Sequence, residues 1–241
     1  MKKVIILLLC ICAFIACMVI GLMSGDFRVG PEPSNNPNNL AKASVTPQYH
    51  NQQNLILIQV DNLAVSKPRL EAVWLMLFKP DLPQITLLLL YPSPKDPYGQ
   101  LASQFNTSPA GELDPAFNKA LISFGFSYQG FILLDEAGFV QWIDWLGGIN
   151  INGNSYTGAQ ALNDMPKPWQ DLGEALTQQR LAATAICIRL GQLPLDVNWF
   201  PLLNRLIPDH MQTNLTLPET VSIWNQMETS LSHFNCKTLT P

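Results

Sequence analysis

The feature that most constrains this chain is the run Val4 to Met23, 20 residues without one charged or strongly polar side chain, preceded by Lys2 and Lys3. As a helix rising ~1.5 Å per residue it is roughly 30 Å long, about one hydrocarbon core. A cleaved signal peptide has a shorter apolar core of ~7–15 residues and ends in a small-x-small site. No such site follows Met23, so the run is expected to stay on the protein as a single-pass anchor. Lysines before it and Asp26 after it predict a cytoplasmic N-terminus and an extracytoplasmic body, because positive charge is retained on the cytoplasmic side. Cys17 after Phe14-Ile15-Ala16 is a distant likeness to a lipid-attachment box, but Met18-Val19-Ile20 continues the apolar run instead of opening a polar mature sequence.

Residues 1–23 are therefore read as cytoplasmic tip and anchor. Residues 24–53 change character, with Gly-Pro-Glu-Pro, then Asn35-Asn36-Pro37-Asn38-Asn39, then His50-Asn51-Gln52-Gln53. Polar, proline-interrupted sequence of this kind cannot bury enough apolar area to offset its ordering entropy, so it is expected to be a linker. Residues 54–235 remain as one domain, long enough for a sizeable core, and 236–241 as a tail. The chain as a whole carries 14 Lys+Arg and 18 Asp+Glu in 241 residues, 13% charged against 47% hydrophobic. Low charge with ample hydrophobicity excludes disorder of the whole chain, and a net charge of −4 argues against a general nucleic-acid binder. Only five arginines occur: Arg28, Arg69, Arg180, Arg189 and Arg205.

Within the domain, Asn54 to Val60, Ala72 to Phe78 and Ile85 to Tyr91 are apolar, β-rich runs. Such continuous runs suit strands buried on both faces. Asp114 to Phe124 has helical spacing, with Phe117, Ala120, Leu121 and Phe124 on one stripe. A strand is expected at Gln129 to Leu134, then a helix opened by Asp135-Glu136 and stopped by Gly147-Gly148, with Phe139, Ile143 and Leu146 inward. Ile149 to Ile151 reads as a short strand. Helices are expected at Gly158 to Asn163, Gln170 to Leu190, Trp199 to Leu206 and Pro218 to Leu231. This order gives an α/β domain in which helical layers sandwich a sheet.

Familiar catalytic boxes are absent: no Gly-x-Ser-x-Gly elbow, Walker loop, His-Glu-x-x-His, dinucleotide fingerprint or clustered Cys/His set. His50, His210 and His233 each stand alone and read as surface or packing residues. Cys10, Cys12 and Cys17 lie in the anchor. Cys187 and Cys236 either pair in an oxidising compartment or remain two free thiols, since two cysteines carry no spacing code.

The order of the pieces does carry a resemblance. An anchor and linker precede Leu55-Ile-Leu-Ile-Gln-Val-Asp61, and Arg69-Leu-Glu-Ala72 leads the next strand. Later come Tyr128-Gln-Gly-Phe-Ile-Leu-Leu-Asp-Glu-Ala-Gly-Phe-Val-Gln-Trp-Ile-Asp-Trp-Leu-Gly-Gly-Ile-Asn-Ile151, Gly158-Ala-Gln-Ala-Leu162 and Thr213-Asn214-Leu215. Together these resemble the LytR-CpsA-Psr (LCP) family of bacterial cell-envelope proteins over roughly residues 54 to 227. The middle segment is the most specific, being similar to the family's Asp-x-x-Gly-Phe-x-x-x-x-Asp-x-Leu-Gly-Gly-Val.

The resemblance implies an LCP-like fold and an extracytoplasmic role in attaching phosphate-linked glycopolymers to peptidoglycan from a polyprenyl-diphosphate carrier. The carrier's chain would lie in an apolar tunnel, with arginines on the diphosphate and acidic residues assisting a divalent metal, Mg²⁺ being possible, and the acceptor hydroxyl. Asp61 falls on the family's first aspartate, Arg69 on the arginine of its Arg-Ser-Asp-Thr, and Glu71 on the aspartate of that motif. Asp61, Arg69 and Glu71 are thus the catalytic candidates, and Asp61 and Glu71 the metal candidates.

The departures are equally specific. The family's Pro-Arg-Asp is Pro92-Ser93-Pro94 here, its Ala-x-x-Arg-x-Arg is replaced by Leu162 to Pro166, and its Arg-x-x-Arg-Gln-Gln appears as Glu174-Ala-Leu-Thr177-Gln178-Gln179. Arg180 lies one step further, turned by ~100° round the helix. Residues 54–214 hold nine basic and 14 acidic residues, a net of −5, which gives no field to attract a dianion. Three readings follow: a diverged protein binding a polyprenyl-phosphate-type lipid with weak or absent transfer, an active glycopolymer ligase with an altered phosphate grip, or a non-catalytic interaction domain.

Overall fold

The computed structural model describes residues 52–79, 84–93, 96, 99–108, 111–193, 198, 200–216, 218–223 and 235–239, all within one compact unit spanning 44–241. The expected anchor Val4 to Met23, the linker up to Asn51, and His50 and His233 lie outside the described residues. Among the described residues no helix is long and apolar enough to cross a membrane.

The three apolar runs form a meander: β1 (Gln53–Val60), β2 (Leu70–Lys79) and β3 (Gln84–Tyr91), with antiparallel β1–β2 and β2–β3 pairs. On the far side of β1 lies β4 (Gly130–Asp135), parallel to it and in register from Leu55 against Gly130 to Val60 against Asp135. Two strands without an apolar run complete the sheet. β7 (Met211–Thr213) pairs antiparallel with β4, and β8 (Asn235–Leu239) lies parallel on β3, giving the order β7-β4-β1-β2-β3-β8. Residues 236–239, expected as a tail, lie in β8 at the edge of the sheet. A separate hairpin joins β5 (Ile149–Ile151) to β6 (Asn154–Tyr156). Its turn is Asn152-Gly153, both at positive φ (53° and 87°), the pairing a two-residue hairpin turn favours.

The helices are α1 (Gln100–Gln104), α2 (Pro115–Ser123), α3 (Glu136–Trp145), α4 (Gly158–Asn163), α5 (Leu172–Leu190) and α6 (Phe200–Leu206), with further helix at 218–223. Local chemistry sets their starts. The Asp114 carboxylate accepts from Ala116 N–H with Pro115 in the first turn, Thr157 and Gln160 form a reciprocal capping box, and the Asp171 side chain accepts from Glu174 N–H. α5 thus begins at Leu172, two residues later than expected, where its cap is.

Helices cover both faces of the sheet, which is why its central strands are apolar throughout. On one face Ile56, Ile58, Val60, Val73, Leu75 and Leu133 meet Leu101 of α1 and Phe117, Ala120 and Leu121 of α2. Phe105 closes that side edge-on to Phe117, with ring centroids 5.0 Å apart. The other face presents Leu55, Ala72, Trp74, Met76, Ile85 and Leu87 toward α5. Next to it α3, α5 and α6 pack through Phe139, Ile143, Ile186, Leu202 and Leu206. Cys187 of α5 and Cys236 of β8 form a disulfide, Cα–Cα 5.5 Å, which settles the alternative left open by the sequence.

Candidate functional site

The second face does not close. Where α5 crosses the sheet three of its inward positions are small, Ala182, Ala183 and Cys187, beside the larger Gln179, Ile186 and Leu190, and a cavity of ≈ 260 Å³ remains beneath it. That lies just under the ~300 Å³ at which small-molecule sites usually begin. Leu55, Leu57, Trp74 and Met76 of the sheet floor it, Trp142 and Trp145 of α3 and Leu203 of α6 wall one side, and Ile223 and Cys236 another. Its only strongly polar side chains are Gln59, Gln179 and Thr220, and no charged residue lines it among the described residues.

Gln59 and Gln179 point to the polar edge of the domain, where β1 and β4 end and β2 begins. Open α/β sheets bind ligands outside the carboxyl ends of parallel strands, and this is such an edge. A β-bulge shapes it: Gln59 opposes Ala72 and Val60 opposes Leu70, leaving Glu71 as the extra residue. Simple alternation would send Glu71 to the α2 face, with Val73 and Leu75. The bulge re-aims it to the cavity side, where its Oε2 accepts from Gln59 Nε2 at 2.9 Å and its carbonyl from Gln179 Nε2 at 3.2 Å. Trp74 Nε1 donates to Gln179 Oε1 at 3.2 Å, so the Gln179 amide is held from both sides.

The three candidates from the sequence fall into two neighbouring groups. Asp61 and Arg69 form one: Asp61 accepts from Arg69 N at 2.7 Å and from Arg69 Nε at 2.8 Å, and from Asn62 N at 2.8 Å. The guanidinium is 64% exposed and stacks over Trp169, 4.3 Å from the ring centre. Partial burial pushes the Asp61 carboxyl up, but the Arg69 hydrogen bonds and charge outweigh it and hold its pKa below the ordinary aspartate value.

Glu71 belongs to the second group. It is 2% exposed and takes Lys167 Nζ on Oε1 at 2.6 Å, while the same ammonium also bonds Glu136. Burial is the main reason the Glu71 pKa rises to about 7. Lys167 opposes that rise and Glu136 adds to it. Lys167 is lowered by burial, but its hydrogen bonds to Glu136 and Glu71 more than reverse this and leave its pKa above the usual lysine value.

One short segment serves both groups. Met165 reaches the cavity, Lys167 reaches Glu71 and Trp169 reaches Arg69, so 165–169 runs along the start of β2 like a second rung. Pro166 and Pro168 stiffen it, and a lysine and a tryptophan fixed by flanking prolines is the sequence signal that could have found it. Sequence reasoning also passed over Glu136, Gln59 and Gln179.

Beside these groups, Asp135 starts α3 by accepting from Gly138 N at 2.8 Å, and its other oxygen meets His210 Nδ1 at 3.1 Å. His210, expected to stand alone, is therefore paired with a buried carboxylate. A Cβ on Gly138 would come within 2.7 Å of the His210 carbonyl, which explains the glycine of the Asp-x-x-Gly-Phe pattern as a place of close backbone approach. The Thr213-Asn214-Leu215 tripeptide clamps β4. Thr213 Oγ1 donates to the Phe131 carbonyl, Asn214 Oδ1 accepts from Phe131 N–H, and Leu215 lines the cavity. Arg180 is exposed while its neighbour Gln179 is buried, so it is turned away from the site.

A divalent metal between Asp61 and Glu71 does not fit these residues. Both carboxylates already accept hydrogen bonds on each oxygen, and among the described residues no group of three or more His, Cys, Asp or Glu is placed to hold a metal ion. The ammonium of Lys167 stands between Glu71 and Glu136 where a shared cation would otherwise sit.

No family model and no curated protein sequence matches this chain. Solved structures do match. TagT bound to LI-WTA superposes with a TM-score of 0.52 at 13% identity, covering 79% of each chain. TagV of B. subtilis gives 0.54 at 13% identity over 80% of this chain and 85% of its own. A putative transcription regulator from Eubacterium siraeum gives 0.59 at 14% identity over 88% and 90%. The fold is shared with TagT and TagV. It is a mixed α/β architecture, a six-stranded sheet with helices, consistent with the LCP-like fold that the sequence motifs imply.

Proposed function

We propose that this chain is a membrane-anchored, extracytoplasmic envelope protein of LytR-CpsA-Psr type that holds an isoprenoid-type lipid chain in its cavity and transfers glycopolymer weakly or not at all. The carrying observation is the uncharged cavity of ≈ 260 Å³ beside an edge where two cations, Arg69 and Lys167, are already bound to Asp61, Glu71 and Glu136. The likeness to TagT, seen with LI-WTA, supports a lipid-linked glycopolymer and peptidoglycan as the setting. Phosphoryl transfer rests on positioning and on neutralising the phosphate oxygens. Loss of one preorganised donor typically costs ~10²–10³ in rate. Among the described residues this edge offers no guanidinium beyond Arg69, itself paired with Asp61, which supports binding over turnover. The test is lipid extraction and mass spectrometry of the full chain purified from its native membrane. An isoprenoid-type lipid at near-stoichiometric amount is expected; several preparations without one would leave only the interaction-domain reading.

One observation favours the active ligase instead. A carboxyl whose pKa lies about 7, as for Glu71, suits a general base for an acceptor hydroxyl. Under that reading Glu71→Gln and Arg69→Ala each abolish transfer to peptidoglycan in a reconstituted assay, and unchanged transfer removes these residues from the site.

A further inference from the structure

The polar pole of the cavity is made of amides. Gln59 and Gln179 are its strongly polar wall groups at the β1–β2 edge, and both are oriented by Glu71, one through its carboxylate and one through its carbonyl. A primary amide offers both a donor and an acceptor but no charge. Behind them the formal charges do not favour an anion. Arg69 is matched by Asp61, and Lys167 is shared between two carboxylates, so that trio sums to −1 when both are ionised. Asp135, paired with His210, adds another carboxylate at the same edge, against which the exposed Lys67 of the 61–69 loop is the further cation. Arg69 is exposed and gives its Nε to Asp61, whereas a diphosphate drawing on Lys167 would have to compete with two carboxylates for its ammonium and would leave Glu71 buried without its partner. Leaving a buried charge uncompensated is among the costlier changes a protein can undergo. A hydroxyl needs only one amide.

We propose that the occupant is a single-chain lipid with an uncharged, hydroxyl-bearing head, a prenyl or long-chain alcohol, and that a diphosphate head on the same chain is disfavoured. The inference rests on the lipid-holding reading above and narrows its substrate class. Trp74, Trp142 and Trp145 line the cavity, so occupancy is readable in the intrinsic fluorescence.

The test uses the full chain in phosphatidylcholine nanodiscs at pH 7.5, titrated with farnesol and with farnesyl diphosphate. Ala183→Leu, which fills the cavity, subtracts partition into the bilayer. Farnesol is expected to bind at least tenfold more tightly than the diphosphate, with both signals lost in Ala183→Leu. The double variant Glu71→Gln, Glu136→Gln frees the Lys167 charge and is expected to narrow the ratio at least tenfold, with circular dichroism melting to confirm that it folds. Diphosphate binding as tight as farnesol on the native chain overturns the headgroup assignment while the lipid-holding cavity stands. No binding of either probe that Ala183→Leu removes overturns both. The first comparison does not depend on the double variant.

Discussion

The two faces of the sheet are built by the same strands and end differently. Toward α2, Phe117 and Leu121 fill the space over Ile58, Val73 and Leu75, and Phe105 seals the rim. Toward α5 the strands offer Leu55, Trp74 and Met76, residues at least as large, but the helix answers with Ala182 and Ala183. At ~24 cal/mol per Å³, a void of ≈ 260 Å³ left dry would forgo roughly 6 kcal/mol. That is a large share of the ~5–15 kcal/mol by which folded domains are stable. The contrast teaches that helix side-chain size, not sheet composition, decides which face is core and which is a site.

Truncation and filling should therefore have opposite signs on the two faces. Phe117→Ala is expected to cost ~3–5 kcal/mol in chemical denaturation, as for a buried aromatic in a filled core. Ala183→Leu is expected to be neutral or stabilising. A loss of ~1–3 kcal/mol there, the signature of overpacking, would show that the second face is as full as the first.

The disulfide is the next largest effect, and it belongs to the open face alone. It closes a loop with a sequence separation of 49, so Cys187→Ala with Cys236→Ala should destabilise by ~2–4 kcal/mol. Comparable thermal melts with and without reductant would contradict this.

Acidity tests the rim between the faces. The folded pKa of Glu71, about 7, lies above its ordinary 4.5, so the folded protein binds this proton more tightly than the unfolded chain. Its contribution to stability is therefore greatest below pH ~4.5, falls as pH rises through the window to about 7, and is level above it. Glu71→Gln should remove that slope in melting temperatures recorded from pH 4.5 to 8. A slope of the same sign and size in the variant would assign it to another group.

Least is expected of Arg69→Ala. Its pair with Asp61 and its stack on Trp169 are solvent-exposed, and exposed pairs contribute ~0.2–1 kcal/mol. A larger loss in the same denaturation experiment would mean that Arg69 supports one of the faces.

Much of this arrangement was legible beforehand because it rests on local signals. Continuous apolar runs gave β1 to β3, the Asp135 cap and the Gly147-Gly148 stop gave α3, and the Phe117 stripe gave α2. Asn152-Gly153 was an available hairpin signal for β6 that the polar sequence Asn154–Tyr156 concealed. β7 and β8 are short and hold no apolar run. They are strands because β4 and β3 offer open edges, which is a tertiary fact. The site was harder still. Asp61 and Arg69 meet across eight residues and could be paired by motif, but Lys167 reaches Glu71 across 96 and Gln179 reaches it across 108. The Glu71 bulge reverses the face that strand alternation assigns, and no pattern of residue types announces it.

The disulfide also bears on the order in which the domain can be made. β1, β2 and β3 are neighbours in sequence and can zip together as hairpins while the chain is emerging. The cavity has Cys236 in its wall, and β8 must find β3 from some 150 residues downstream. A nascent chain that has released the meander but not residue 236 thus has an open trough where the finished protein has a chamber. Contacts of such separation form slowly compared with local ones. For that interval the apolar floor of Leu55, Trp74 and Met76 lacks one of its walls, and anything able to lie along it meets the trough before it meets the chamber.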